Sequence, residues 1–191
     1  MSNNFNCCPM CRSTNIKNII NPHAKDATRK WTCPECGFDL YCNIAAAVGL
    51  ILYDQFYNIL FEVRAKNPRK GYIVIPGGFV DADERAEDAV IREAREEIGL
   101  KISEDDLTYL TTFPNTYEYR DITYKTCDIF FAAKLPENKT IPDLVKNLIA
   151  EESEVTEIQV HKVTSEKDID ALPVAFPSGV SALKAWLKKI R

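Results

Sequence analysis

One segment, Gly78–Leu100, constrains the fold of this chain most, because it predicts a helix whose acidic face is also its buried face. At about 100° of rotation per residue, Glu93, Glu96 and Glu97 fall within one arc of about 100°. Small apolar side chains project to the same side of the helix: Ala86, Ala89, Val90 and, at its edge, Ala94. We therefore expect this face to pack on a sheet, with the three carboxylates pointing toward the body of the protein.

The chemistry of these three carboxylates predicts a metal site. Like charges that are crowded together raise one another's pKa values unless a cation compensates for them. Sites built only from carboxylate oxygens suit hard ions such as Mg²⁺ or Mn²⁺. The alternative, a solvated run of charges on a helix surface, is the ordinary one for a segment rich in Arg and Glu. The apolar side chains on the glutamate face favour the metal site instead.

Downstream of residue 43 the sequence predicts strands and helices around one sheet. Runs of apolar, β-branched or aromatic residues predict strands at 44–53, 58–64, 72–75, 107–113, 123–134 and 156–163. Helices are predicted at 84–98, where Gly99 would end the helix, and at 178–190. Short strands combined with two helices predict an α/β fold, namely an α/β/α sandwich around a mixed sheet.

Two C-x2-C pairs among the seven cysteines predict a small metal-binding module ahead of that fold. The cysteines of these pairs are Cys8, Cys11, Cys33 and Cys36. Each pair is a tight turn that aims two thiolates at one point, and two pairs complete a tetrahedral zinc site without an open position for water. We therefore predict a structural Zn²⁺ in a zinc ribbon over residues 1–41, followed by a second domain over residues 42–191.

The charge balance argues against a general affinity for polyanions. The 191 residues contain 24 Lys and Arg against 28 Asp and Glu, a net charge of −4 that supplies no field to attract nucleic acid. A phosphate-bearing ligand must then be held locally, through metal ions. Residues 1–6 lack the basic and apolar runs of a targeting segment, and no stretch reaches the length of a membrane span. We expect a cytoplasmic protein without membrane or nucleic-acid partners.

The segment Gly78–Leu100 resembles the Nudix box, G-x5-E-x7-R-E-U-x-E-E-x-G-U, in which U is a hydrophobic residue. The residues that match the pattern are Gly78, Glu84, Arg92, Glu93, Glu96, Glu97 and Gly99, with Ala94 and Leu100 in the hydrophobic slots. The preceding Pro76-Gly77-Gly78-Phe79 is also similar to members of this family. The resemblance implies the Nudix α/β/α fold for about residues 44–191, and a hydrolase that acts on phosphoric anhydride bonds.

The resemblance also implies how a metal would be held. Glu93, Glu96 and Glu97 would bind catalytic Mg²⁺ or Mn²⁺, and a metal-bound water would attack phosphorus. Many members of the family take a further ligand or base from a later acidic residue. Glu154 resembles that position, and a surface charge is the alternative interpretation of this residue.

The other box positions would support the ligands. Arg92 would orient the glutamates through charge-assisted hydrogen bonds. Glu84 would pair with them or support them from the preceding loop. Gly78 would let the backbone turn where a side chain would obstruct the site.

A zinc ribbon ahead of a Nudix domain is similar to the NADH pyrophosphatases. Those enzymes carry an S-Q-P-W-P-F-P-x-S signature shortly after the box, where this chain has Thr111–Tyr119 instead. The departure leaves NADH or NAD⁺, ADP-ribose and dinucleoside polyphosphates as candidate substrates. Within this segment Phe113, Tyr117 and Tyr119 are candidates to stack on a base, although aromatic residues in a strand also pack in a core.

Two alternatives to a small-molecule hydrolase stay open from the sequence. A Nudix domain can act as a non-catalytic sensor of nucleotide metabolites, but such domains typically have a degraded box, whereas this one is intact. RNA cap processing, with the ribbon presenting the capped 5′ end, is the second alternative, and the low basic content does not favour it. We expect a nucleotide diphosphate as the ligand, and homodimerisation is common in similar proteins.

Overall fold

Two structural units make up the chain in the computed structural model, which describes residues 6–23, 28–119 and 122–190. The N-terminal unit comprises Met1–Ile44 and Glu118–Tyr124, and the main unit comprises Ala45–Tyr117 and Lys125–Arg191. The boundary between residues 41 and 42 stays a prediction. No helix among the described residues has the length and apolarity that crossing a membrane requires.

The N-terminal unit is built around an antiparallel sheet. Its described strands are β1 (Lys17–Ile20), β2 (Thr28–Thr32) and β3 (Asp39–Tyr41), with β2 in the centre. Trp31 on β2 and the adjacent Cys33 are buried. The sequence predicted turns with little periodicity here. Strands of three to five residues are too short to display an apolar alternation, which explains why they were not predicted.

The main unit contains six strands and four helices within the described residues. The strands are β4 (Ala45–Tyr53), β5 (Asn58–Arg64), β6 (Ile73–Val74), β7 (Thr108–Tyr119), β8 (Ile122–Lys134) and β9 (Val155–Lys162). The helices are α1 (Ala86–Ile98), α2 (Ile141–Val145), α3 (Glu166–Asp170) and α4 (Pro177–Lys189), and a 3-10 turn spans Glu104–Asp106. The described strands run in the order β6-β5-β4-β8-β7, with β9 paired to β5. Because β4 and β8 are parallel while β5 is antiparallel to β4, β6 and β9, the sheet is mixed.

Helices cover both faces of this sheet. Val48, Leu50 and Leu52 on β4 belong to the core that contains the buried face of α1. Ile51, the alternate residue on the same strand, belongs to the second core, which contains Trp186 of α4. Alternation along one strand thus supplies two cores, as a sheet buried on both faces requires. The predicted α/β/α sandwich around a mixed sheet is confirmed.

Two element boundaries differ from the sequence prediction for physical reasons. Helix α1 begins at Ala86 rather than at residue 84, since Asp83 has a left-handed φ of 64° and Arg85 is still extended. Strand β7 continues beyond residue 113 to Tyr119, through Pro114. A proline lacks an N–H donor and is therefore expected to end a strand inside a sheet. Strand β7 lies at the edge of the sheet, where a proline is tolerated.

A loop beside β4 fixes the position of α1. The backbone N–H of Val48 donates to Gly78 O at 2.8 Å, and that of Leu50 donates to Pro76 O at 2.8 Å. Gly77 has a φ of 149°, and a Cβ there would lie 2.1 Å from Val48 O. Only glycine allows so close an approach. The start of the Nudix-like segment is therefore held against the sheet.

Candidate active site

A cavity of about 420 Å³ lies in the main unit, at the glutamate face of α1. Its size falls within the range of small-molecule sites. The acidic residues that line it are Asp81, Glu93, Glu96, Glu97, Asp128, Glu151 and Glu154. The cavity brings together the predicted Glu154 and the three box glutamates, although Glu97 and Glu154 lie far apart in sequence.

Arg92 connects the predicted side chains at this cavity. Its Nε and Nη2 donate to the two carboxylate oxygens of Glu84 at 2.8 and 2.9 Å. Its Nη1 donates to Glu93 at 2.9 Å and to Glu96 at 3.1 Å. Hydrogen bonds from Arg92 and from the Asp81 backbone lower the pKa of Glu84 to about 2. A permanently charged fork therefore fixes three carboxylates relative to one another.

Glu97 occupies a different environment, beside a second acid. The backbone N–H of Gly77 donates to Glu97 Oε2 at 2.8 Å. Burial raises the pKa of Glu97 to about 8, the charges of Glu93 and Glu154 act in the same direction, and the Gly77 hydrogen bond opposes the shift. A hydrogen bond joins the carboxyl groups of Glu62 and Glu97. It lowers the pKa of Glu97 and raises the pKa of Glu62.

Glu62 is a site residue that sequence reasoning did not single out. It lies on β5 and is only 1% exposed. Burial and the neighbouring Glu97 and Glu93 charges raise its pKa well above the usual value. Its Oε1 has no hydrogen-bond partner among the described residues. The available signal was an isolated acid within the apolar run Ile59-Leu60-Phe61-Glu62-Val63.

The donor set of this cluster fits a hard divalent cation. The ligands are oxygens alone, the carboxylates raise one another's pKa values, and one buried oxygen lacks a partner. The oxygen atoms of these carboxylates do not converge on one point, however. Within the described residues, the four paired cysteines are the one group whose ligand atoms all lie within 4.8 Å of one another. A Cβ on Gly78 would lie 2.5 Å from Glu93 Oε1, so a glycine there leaves the carboxylate its space.

The segment before β9 brings two further acids to the cavity. Glu151 is tied to α1 because its backbone N–H donates to Glu97 O at 2.8 Å. The Glu154 side chain forms an ion pair with Lys66, and its backbone O accepts from the Ala65 N–H at 2.8 Å. Glu151, which the sequence analysis did not select, therefore lines the cavity together with the predicted Glu154.

Aromatic side chains form another wall of the cavity. The Tyr117 ring lies 5.5 Å from that of Phe79 and 5.7 Å from that of Phe176. The Arg64 guanidinium lies 5.3 Å from the Phe176 ring centroid, and all four residues line the cavity. Phe176 was not predicted, because it precedes α4 and is remote in sequence from the box.

The other aromatic predictions fall elsewhere. Phe113 packs against the core, with its ring 6.5 Å from that of Phe130, and it does not line the cavity. The side chain of Tyr119 lies outside the described residues. Of the two predicted stacking residues whose side chains are described, Tyr117 lines the cavity and Phe113 does not.

The four paired cysteines form a separate cluster in the N-terminal unit. Cys8 Sγ lies 3.7 Å from Cys36 Sγ, and Cys11 Sγ lies 3.6 Å from Cys33 Sγ. Each pair closes through a left-handed residue, Arg12 at φ 63° and Gly37 at φ 72°. Tetrahedral zinc with Zn–S bonds of about 2.3 Å separates its sulfurs by about 3.8 Å. The observed spacing therefore fits a zinc ion.

Comparison with known proteins identifies the family of the main unit. The family model described as NUDIX domain matches residues 43–177. A curated relative, the ADP-ribose pyrophosphatase of Methanocaldococcus jannaschii, is 47% identical over 64 residues, which is 33% of this chain and 37% of the relative. The NAD-capped RNA hydrolase NudC of Pseudomonas aeruginosa is 33% identical over 82 residues, which is 42% of this chain and 28% of the relative. The matches thus span about a third of these relatives' lengths.

Solved structures agree on the fold. The crystal structure of a NUDIX hydrolase from Nitrosomonas europaea superposes with a TM-score of 0.59 at 20% identity, covering 96% of this chain and 90% of that one. At this identity the likeness concerns the fold alone. The match of the family model to most of the chain carries the assignment, and the chain belongs to the NUDIX domain family.

Proposed function

We propose that this chain is a divalent-metal-dependent pyrophosphohydrolase that cleaves the diphosphate of a nucleoside diphosphate linked to another group. The observation that carries the proposal is the arrangement of carboxylates on the cavity wall, with Glu93 and Glu96 held by Arg92 and with Glu97 beside the buried Glu62. Relatives named ADP-ribose pyrophosphatase and NAD-capped RNA hydrolase support it. ADP-ribose and NAD both contain a diphosphate that joins a nucleoside to another group.

Mg²⁺ or Mn²⁺, when bound, would neutralise the diphosphate oxygens and lower the pKa of the attacking water. Glu93, Glu96 and Glu97 would hold the ions, with Glu154 as a further ligand or the base. Arg92 keeps Glu93 and Glu96 in position, and the Gly77 N–H does the same for Glu97. The water oxygen bonds to one phosphorus, the bond from that phosphorus to the bridging oxygen breaks, and the water proton passes to a cavity carboxylate. For ADP-ribose or NADH the products are two monophosphates.

The N-terminal unit holds a structural Zn²⁺ in this proposal. The four sulfurs fill the tetrahedron, so that no position is open for water or substrate. Burial opposes ionisation of Cys8, but the backbone N–H groups of Cys11 and Met10 lower its pKa to about 7. Backbone hydrogen bonds also favour the Cys11 and Cys36 thiolates, but burial and the neighbouring thiols raise the pKa values of these two cysteines, so that zinc would displace their protons on binding.

A substrate screen tests the hydrolase proposal. ADP-ribose, NADH and dinucleoside polyphosphates are incubated with Mg²⁺ or Mn²⁺, and phosphate is measured after a phosphatase digests the monophosphate products. We expect release from at least one of these substrates, complete dependence on the metal, and loss of release in Glu97→Gln. Binding of ADP-ribose without turnover would instead identify a non-catalytic sensor.

RNA decapping is a second candidate, favoured by the similarity of 82 residues to an NAD-capped RNA hydrolase. The same diphosphate chemistry applies to a capped 5′ end. The net charge of −4 does not favour a long contact with RNA. A kcat/KM for NAD-capped RNA that exceeds the value for free NADH by about tenfold would make RNA the preferred substrate, and equal values would favour the small molecule.

A further inference from the structure

The cavity also contains a buried carboxylate that does not belong to the Nudix box. Asp128 lies on β8 and is 8% exposed. Thr126 Oγ1 donates to its Oδ1 at 2.6 Å, and Ser178 Oγ on α4 donates to its Oδ2 at 2.6 Å. Thr126 and Ser178 are each 3% exposed, and all three residues line the cavity. The hydroxyl groups hold Asp128 in one orientation.

Comparison with the other buried aspartate shows that Asp128 has spare capacity to accept hydrogen bonds. Asp54 is fully buried and accepts four: from the N–H groups of Phe56, Asn58 and Ile141 and from the Asn58 amide, two on each oxygen. Asp128 accepts one on each oxygen from the described residues. A carboxylate has about four acceptor positions, so Asp128 can take further donors from a ligand in the cavity.

The charge of Asp128 limits what this ligand group can be. A buried carboxylate repels a phosphate, and the diphosphate already has its place among the box residues and their metals. The group beside Asp128 must then be a part of the substrate that presents N–H or O–H donors. Tyr117, Phe79 and Phe176 line the same cavity and offer ring faces to a planar group. A nucleobase is the planar part of a nucleoside diphosphate derivative.

We propose that Asp128 is a specificity-determining residue that accepts a hydrogen bond from the exocyclic amino group of the substrate's nucleobase. The inference rests on the proposed function, because that function supplies a nucleoside to the cavity. Thr126 and Ser178 are positioning residues that fix the carboxylate. A base with an oxo group in place of the amino group places an acceptor against Asp128 and leaves two buried acceptors unpaired.

Hydrolysis of a matched substrate pair tests the inference. ADP-ribose and inosine diphosphate ribose differ in the 6-amino and 6-oxo groups of the base. We expect wild-type kcat/KM to favour ADP-ribose by at least about tenfold, the value of one charged hydrogen bond. In Asp128→Asn the amide can donate to the oxo group, so that this ratio falls to about one or inverts. Equal loss on both substrates would show a purely structural role and overturn the inference.

Control variants separate specificity from folding. Asp54→Asn should lower the Tm but keep the wild-type substrate ratio, because Asp54 does not line the cavity. Ser178→Ala removes one of the two donors to Asp128 and should reduce the ratio by a smaller factor. If Asp128→Asn does not fold, Ser178→Ala decides, and a ratio unchanged in that variant contradicts the inference.

Calorimetric titration with AMP and IMP distinguishes failure of this inference from failure of the proposed function. Turnover by the wild-type protein of neither diphosphate, nor of NADH or a dinucleoside polyphosphate, would refute the proposed function. Tighter binding of AMP than IMP, lost in Asp128→Asn, would still support the role of Asp128. Equal affinity of the wild-type protein for both nucleotides, or binding of neither at millimolar concentration, would refute that role.

Discussion

The cysteine cluster and the carboxylate cluster organise their ligands in opposite ways. In the N-terminal unit, four Sγ atoms already lie within 4.8 Å of one another. In the main unit, the box glutamates line one cavity, but Arg92 bridges Glu93 and Glu96 while Glu97 pairs with Glu62. The sulfur atoms of the first cluster are close enough to enclose one ion, whereas the carboxylates of the second line a cavity. The difference fits the proposed structural role of the cysteines and the proposed catalytic role of the carboxylates.

Backbone geometry explains this difference. Each cysteine pair sits on a turn in which Arg12 N donates to Cys8 O, or Gly37 N donates to Cys33 O, both at 2.9 Å. Each turn brings the two thiols of its pair close together. The glutamates instead extend on long side chains from one helix, and their mutual repulsion keeps them apart until a cation compensates. Substitutions in the two clusters should therefore have different consequences.

Glu97→Gln should produce the largest effect, and it should affect the carboxylate cluster without affecting the cysteine cluster. We expect turnover to fall by about 10³-fold, because the loss of one metal ligand removes several kcal/mol of transition-state stabilisation. The Tm should change little, since glutamine keeps the volume of the side chain and can still accept the hydrogen bond from the Gly77 N–H. Glu96→Gln should behave similarly. Steady-state kinetics of the two variants beside Asp88→Asn, an exposed position on the same helix, provides the measurement. A rate above about a tenth of wild type would contradict the ligand role.

Cys33→Ser should disrupt the cysteine cluster without affecting the carboxylate cluster. We expect zinc content, measured by elemental analysis, to fall from about one per chain to near zero, because three thiolates hold zinc much less tightly than four. Circular dichroism should show partial loss of the N-terminal sheet. Cys42→Ser, outside the pairs, is the matched control and should keep its zinc. Retention of one zinc per chain in Cys33→Ser would show that the ligands were assigned wrongly.

Arg92→Lys should have an intermediate effect, and it tests whether Arg92 positions the carboxylates of the main unit. Lysine keeps the charge but cannot donate simultaneously to Glu84, Glu93 and Glu96, so the carboxylates lose their fixed spacing. We expect kcat/KM to fall by about 10-fold to 100-fold, with a weaker apparent affinity for Mg²⁺. Arg95→Lys, at an exposed position on α1, should remain near wild type. Wild-type metal affinity in Arg92→Lys would exclude the positioning role.

The smallest expected effect is a dependence of stability on pH in the absence of metal. Burial raises the pKa of Glu97 from the usual 4.5 to about 8, and the pKa of the neighbouring Glu62 is raised as well. The contribution of Glu97 to stability is therefore fully present below pH 4.5 and is lost as pH rises toward 8, which should lower the Tm. Thermal unfolding in EDTA at pH 5 and pH 8 measures the difference. Glu97→Gln should reduce it, and an undiminished difference in this variant would place its origin elsewhere.

Asp54 gives an internal reference for this pH dependence. Burial alone would raise the pKa of Asp54, but its four hydrogen bonds lower it below 3.8. Its contribution to stability is therefore present above pH 3.8 and is lost only at more acidic pH. The interval from pH 5 to pH 8 thus reports on the raised carboxyl pKa values at the cavity.

The sequence predicted most of the sheet and α1, because these elements are long enough for an apolar pattern to appear. Strands β4, β5 and β8 lie within one residue of their predicted bounds. Helices α2 and α3, of five residues each, were not predicted. Such short elements depend on tertiary contacts and caps, which a window of apolar periodicity does not detect.

For the candidate site, the box residues and Glu154 could be selected because their order along the chain resembles a family pattern. Glu62, Asp128 and Phe176 could not be selected in that way. Asp128 and Phe176 line the cavity from β8 and from the residue before α4, and Glu62 reaches Glu97 from β5, so only the folded sheet brings the three residues to the site. A buried acid in an apolar strand was the local signal for Glu62, and the sequence around Asp128 offered none as specific.

Hydrolysis of ADP-ribose in H₂¹⁸O with Mg²⁺, followed by mass spectrometry of the products, tests the central claim most directly. The described lining of the cavity contains no histidine that could activate Ser178 or Thr126, whose hydroxyls donate to Asp128, so water should attack phosphorus. We expect AMP and ribose 5-phosphate, with one ¹⁸O on the phosphate of one product. Label on a ribose carbon, or release of a free base in place of the two monophosphates, would contradict a pyrophosphohydrolase.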